Sequence, residues 1–154
     1  MKKVYYLIFF LCLTFKTLAI DAVKIKNIDV LLFYNTKGKW SENISSKTHL
    51  LWNSIIGEGA ADFLATDTLF VVNLTSKSLG QNVSVALKVL SGKGKKQEKI
   101  IELSKDIRFA DSKEYSIPLL VNNTGCTPIV LEVLLNTGGK EIKEAKSLPF
   151  ACGE

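Results

Sequence analysis

The sequence predicts an all-β protein, a seven-stranded antiparallel β-sandwich. Three observations carry that prediction. Short runs of alternating apolar residues recur between Val23 and Phe150, most connections between them are polar or contain glycine, and little of the chain reads as helix. Valine, isoleucine, leucine and aromatic residues occupy the alternating positions, which suits a pleated surface with one face against a core.

Residues 1–19 are expected to lie outside this fold. Met1-Lys2-Lys3 is a basic start, Val4 to Phe15 is an almost uninterrupted apolar run, and Thr17-Leu18-Ala19 supplies small residues at the outer positions of a cleavage site. That is the pattern of a secretory signal peptide, and the run is shorter than the roughly 20 residues that cross a bilayer. The remainder, 20–154, is expected to form a single β-sandwich domain, secreted or periplasmic, without a membrane span.

The strands follow in order. Val23, Ile25, Ile28, Val30, Leu32 and Tyr34 change phase once around Lys26-Asn27 and then alternate, a strand signal with one irregularity. Residues 35–66 are the least regular part, a long partly helical or irregular segment between the first and second strands. Leu51, Trp52, Ile55 and Ile56, with Thr48 as N-cap and Gly57 just beyond, have the spacing of a short helix; an extended segment is the alternative. The second strand spans Thr68 to Thr75, where Leu69, Phe70, Val71 and Val72 suggest burial on both faces for part of its length. Val83, Val85, Leu87 and Val89 give the cleanest period-two signal in the chain. Ser91 to Lys96 reads as a flexible hairpin tip leading into a fourth strand over Glu98 to Leu103. Tyr115, Ile117, Leu119 and Val121 mark the fifth strand, and Ile129, Leu131, Val133 and Leu135 the sixth. Asn136 to Lys140 is a glycine-bearing hairpin turn, and Glu141 to Phe150, with Lys143, Glu144, Lys146 and Pro149, has the composition of an edge strand.

Charge and cysteines limit the function classes. Without Lys2, Lys3 and Lys16 the 20 basic residues fall to 17 against 15 acidic ones, so the mature chain is close to neutral, and Arg108 is its only arginine. Nucleic-acid binding, which needs clustered basic side chains with interleaved aromatics, is not expected. The lysines at 93, 95, 96 and 99 read as a solvated turn or as a contact for an acidic surface. In an oxidising compartment Cys126 and Cys152 are expected to pair, closing a loop whose entropy cost in the unfolded chain corresponds to about 3.5 kcal/mol. Asn-x-Ser/Thr occurs at Asn43, Asn73, Asn82 and Asn122, which would be glycan acceptors in a host with the machinery.

Catalytic constellations are hard to assemble from these residues. His49 is the only histidine and has neither a nucleophile motif to serve nor a second histidine four residues on. No enzyme activity, cofactor or metal is expected; a calcium site from Glu58, Asp62 and Asp67 matches no known calcium loop. The segment Trp52 to Asp62, with Gly57 and Gly59 around Glu58, is the most unusual in composition. Read functionally, Trp40, Trp52, Glu58 and Asp62 form a candidate partner-binding loop; read structurally, the apolar residues cover one end of the sandwich and the glycines make a tight turn.

Taken in order, the strands resemble the immunoglobulin-like or fibronectin type III arrangement over roughly Ile28 to Phe150. The inter-sheet Cys, Trp and Cys signature of immunoglobulin domains is absent, since the cysteines flank the last two strands and both tryptophans precede the second. Asn122-Asn123-Thr124-Gly125 resembles, without its proline and at other spacing, the Asn-Pro-Thr-Thr-Gly loop of chagasin-like cysteine-protease inhibitors, which use an immunoglobulin-like fold. The function expected is that of an exported non-catalytic binding or interaction module for a protein or carbohydrate partner, with an exposed apolar or aromatic patch near Trp40 or Trp52. The alternatives are a small exported enzyme or protease-inhibitor-like domain, and a structural subunit of an envelope or surface assembly that pairs through sheet edges.

Overall fold

A computed structural model describes residues 23–46, 63–124 and 126–152. The first strand, β1 (Val23–Tyr34), pairs antiparallel with β3 (Ala65–Ser76), and β3 pairs in turn with β6 (Glu114–Val121). A two-residue strand, β2 (Lys39–Trp40), adds to the far edge of β1, giving the order β2-β1-β3-β6. The second sheet has the order β5-β4-β7-β8, built from β4 (Asn82–Ser91), β5 (Glu98–Arg108), β7 (Ile129–Thr137) and β8 (Lys140–Leu148). Both sheets are antiparallel throughout.

All seven expected strands form, and β2 makes an eighth where the sequence led us to expect only turn chemistry. A two-residue strand has no periodicity of its own; it exists because Phe33 and Tyr34 pair with Trp40 and Lys39 across the edge of β1. Among the described residues there is no α-helix, only a 3-10 turn at Gly94–Lys96. The helix expected over Thr48 to Gly57 lies outside the described residues.

The inward positions of both sheets meet in one core. Val30 and Leu32 of β1, Phe70 and Val72 of β3, Val85 and Leu87 of β4, and Leu131 and Val133 of β7 are all buried in the same cluster. The alternation therefore has the physical origin expected of it: a period of two places every second side chain on the core side of the pleat. The phase change around Lys26-Asn27 is a β-bulge, where the register with β3 shifts between Ile25 and Asn27. It lets Val23 and Ile28, five positions apart, both face inward.

Two expectations need correction. Strand β3 is not buried on both faces: Phe70, Val72 and Leu74 are buried, whereas Leu69, Val71 and Asn73 are only half-buried on the outside. Strand β5 runs on past Leu103 to Arg108, and Ile107 and Phe109 enter the core. Lys105, Asp106 and Arg108 obscured that extension, because a strand at a sheet edge carries charge on positions that a central strand would bury.

The outer edge of β1 is closed by side chains. The Ser41 hydroxyl accepts the Leu32 N–H at 2.9 Å, and Asn43 Oδ1 accepts the Val30 N–H at 3.0 Å. The backbone N–H groups of Ser41 and Ile44 donate to Leu32 and Val30 carbonyls at 2.8 and 2.9 Å. Residues 41–44 thus act as a splint, satisfying main-chain groups that would otherwise template another strand. Replacing Asn43 with alanine leaves the N–H of fully buried Val30 without an acceptor, and we expect a loss of about 1–3 kcal/mol in a chemical-denaturation experiment. An unchanged midpoint would mean that solvent reaches this edge and the splint is not structural.

At the other end of the molecule the β4-β5 connection depends on Gly92, whose φ is +105°. A Cβ there would stand 2.7 Å from the Lys96 carbonyl oxygen, so the tip is closed by backbone geometry only glycine accommodates. Cys126, just before β7, and Cys152, just after β8, stand at disulfide distance with their Cα atoms 4.8 Å apart. That lies within the range of about 4.4–6.8 Å for bridged cysteines. Ile129 and Leu148 pair at the same end of this hairpin, so the bridge ties the tail beyond β8 to the start of β7.

Candidate functional site: the outer face of the first sheet

Successive outward positions of β1, β3 and β6 lie side by side across the first sheet. Leu31, Leu69 and Leu120 are in register, as are Asp29, Val71 and Pro118, and then Asn27, Asn73 and Ser116. At one end Phe33 meets Trp40 of β2 edge-on, with ring centroids 5.0 Å apart. Leu120 is 47% exposed and Trp40 38%. The result is a continuous apolar strip on a face that an isolated domain would be expected to keep polar, running from Trp40 and Phe33 through the three leucines to Val71 and Pro118.

At the other end the strip gives way to a polar cluster centred on Asp29. Its Oδ1 accepts from Asn27 and Asn43 amides, both at 2.6 Å, and its Oδ2 accepts from the Asn73 amide at 2.7 Å. Ser116 donates to Asn73 Oδ1 at 2.5 Å, and Lys26 pairs with Glu114 at 2.7 Å. All of these except Asn43 line a hollow of about 260 Å³ between the bulge in β1 and the adjoining parts of β3 and β6. The bulge places Lys26 and Asn27 together on the exposed side, which a regular strand would not do.

Of the residues singled out from sequence, Trp40 is on this face. Trp52, Glu58 and Asp62 lie outside the described residues, as does His49. Asp67, the third acid of the suggested calcium site, accepts the Asn123 N–H at 3.1 Å. Among the described residues no group of three metal-ligating side chains occurs, and no helix is long and apolar enough to cross a membrane. Asn43 and Asn73, two of the four glycan-acceptor patterns, have their side-chain amides engaged with Asp29; Asn82 and Asn122 are exposed.

In the segment that resembles the inhibitor motif, Thr124 is fastened inward while Asn122 and Asn123 are exposed. Thr124 is 3% exposed, its hydroxyl lies 2.7 Å from that of buried Thr68, and its N–H donates to the Thr66 carbonyl at 2.7 Å. Asn123 takes a positive φ of 57° and is held by Asp67. Thr124 is thereby tied to β3.

Asp29, Asn73, Ser116, Phe33 and Leu120 were not anticipated as site residues. The available signal was the apolar character of both faces of the second strand, Leu69 and Val71 alternating with Phe70 and Val72, which the structure resolves into a core face and a half-buried outer apolar face. Compared with known protein families and with curated proteins, the chain matches none.

Proposed function

We propose that this chain is an exported, non-catalytic binding module that receives a protein or carbohydrate partner on the outer face of the first sheet. The observation that carries the reading is the apolar strip ending in the Asp29 cluster: a contiguous surface with an aromatic end, an aliphatic middle and an ordered polar end. Surfaces of this kind on soluble domains mark interaction sites more often than scattered apolar residues do. Edge pairing receives less support, because β1 is splinted, Pro118 interrupts the donors of β6, and β5 and β8 carry charge along their length.

An immunoglobulin-like fold of the fibronectin type III kind is the finer form of this proposal. It is supported by the distribution of the long strands: the first, second and fifth share one sheet, and the fourth, third, sixth and seventh share the other in that order. Export is supported by the basic and apolar leader and by the cysteine pair at disulfide distance, which suits an oxidising compartment.

The test uses the mature protein and fractionated protein and polysaccharide from the envelope of its source. Binding should be saturable and should fall tenfold or more in a Trp40→Ala/Leu120→Asp variant that keeps its circular-dichroism spectrum and unfolding midpoint. Both side chains are partly solvated, so their replacement leaves the core intact. Full binding by the folded variant would remove the face from consideration.

A further inference from the structure

We propose that the polar end of this face, around Asp29, Asn73 and Ser116, binds a neutral glycan through its hydroxyl groups; the proposal rests on the sheet-face reading above and names its ligand class. The side chains there are ordered before any ligand arrives, because each is held by another: Asn27, Asn43 and Asn73 by Asp29, and Ser116 by Asn73. Ordering the site in advance lowers the entropy cost of binding.

The capacity left over is mixed. Asn27 and Asn73 each retain a second amide hydrogen, and Lys26 retains two ammonium hydrogens beyond its bond to Glu114. Asp29 Oδ2, Asn73 Oδ1 and the Ser116 hydroxyl oxygen each retain acceptor capacity. Donors and acceptors are therefore both present around the hollow. A hydroxyl group both donates and accepts, so adjacent hydroxyls of a pyranose match this pattern where a group of one polarity would not.

Charge narrows the choice further. Lys26 is the single cation lining the hollow and is paired with Glu114, Lys105 at its margin donates to the Tyr115 hydroxyl, and Asp29 adds a second carboxylate, so an anionic ligand meets no unpaired cation in the lining. A bare cation is opposed as well, since three amide N–H dipoles already point at Asp29. A neutral polar ligand remains. Val71 and Pro118 lie beside Asp29 in register and supply apolar contact for the C–H faces of a sugar ring, and the strip continues to Trp40 and Phe33, about 13 Å from Asp29 along β1. That length suits a short oligosaccharide with its polar end in the hollow and an outer unit against the aromatic pair.

The experiment is an NMR titration of the mature, 15N-labelled protein with neutral tetrasaccharides (β-1,4-glucan, β-1,3-glucan, β-1,4-xylan and α-mannan) and with a sulfated oligosaccharide as the anionic control. The expected result is saturable shifts confined to the amides of residues 27–29, 71–73 and 116–118 with at least one neutral sugar, none with the sulfated one, and a tenfold or greater loss of affinity in Asn27→Ala and Ser116→Ala variants whose spectra remain dispersed. Those positions are exposed and outside the core, so the variants keep the fold. No shifts with any neutral sugar, or preferential binding of the sulfated one, would overturn the glycan assignment. If in that event binding to envelope protein is lost in the Trp40→Ala/Leu120→Asp variant but not in Asn27→Ala or Ser116→Ala, the sheet-face reading stands alone; if no variant affects partner binding, both fail.

Discussion

Replacing Phe70 with alanine is expected to lower the unfolding free energy by about 3–5 kcal/mol, enough to unfold much of the population of a marginally stable domain. Phe70 is fully buried in β3, the strand that holds β1 on one side and β6 on the other, and its cross-strand neighbours Val30 and Leu119 are themselves buried. Removing the ring forfeits its transfer free energy and leaves a cavity between two sheets whose backbones are fixed by ladders on both sides, so little collapse can refill it. Phe70→Leu keeps most of the volume and should cost markedly less. The measurement is the urea midpoint of each variant at constant m. A Phe70→Ala loss below about 1 kcal/mol would show that Phe70 is not the centre of the core.

The second large effect concerns the clamp at the end of the β7-β8 hairpin. Opening the Cys126–Cys152 bridge, by reductant or in a Cys126→Ser/Cys152→Ser variant, should destabilise the chain by about 3.5 kcal/mol on the loop-entropy estimate, within a usual range of about 2–5 kcal/mol for small exported domains. Reduction and double substitution should shift the midpoint equally, because both act mainly on the unfolded chain. Phe150, between β8 and Cys152, is buried at 1% exposure, so the tail also has an apolar anchor. That anchor sets the expected pattern of local opening. With the bridge open, hydrogen exchange should accelerate first at the β8 end near Leu148, while β3 and β4 stay protected until global unfolding. A reduced protein with an unchanged midpoint would show that Phe150 alone holds the tail.

Asn43, Phe70 and the cysteine pair test three different levels of the fold: a backbone edge, a core and a covalent tie. Only the face carrying Trp40 and Asp29 is tested by binding. For Phe70 and the cysteine pair stability and recognition are therefore separable, since the residues proposed to meet a partner point away from the core, whereas Asn43 joins the two by bonding both the Val30 N–H and Asp29.

Much of the fold was legible from residues alone because the decisive signal is local. Val83, Val85, Leu87 and Val89 alternate in sequence and are all buried in β4, and the phase change at Lys26-Asn27 is recorded by the chain itself as a lost step in the alternation. The pairing of Cys126 with Cys152 followed from there being two cysteines in the expected mature chain. Other features carry no local trace. Strand β2 forms only because β1 presents an edge to it, and the end of β5 is stabilised by Ile107 and Phe109 reaching a core made by other strands.

The candidate site belongs wholly to this second kind. Leu31, Leu69 and Leu120 are far apart in sequence, as are Asn27, Asn73 and Ser116, and no spacing rule connects them. Antiparallel register alone sets them side by side across three strands, and the bulge in β1 turns Asn27 toward Asn73 and Ser116. The sequence by itself determined the seven long strands, the inward face of those with clean alternation such as β4, and the tie between the last two, because periodicity and cysteine count are properties of the linear chain. The order of the strands in each sheet, the splint over β1 and the polar end of the outer face were decided only in three dimensions, where pairing between distant segments selects which outward side chains become neighbours.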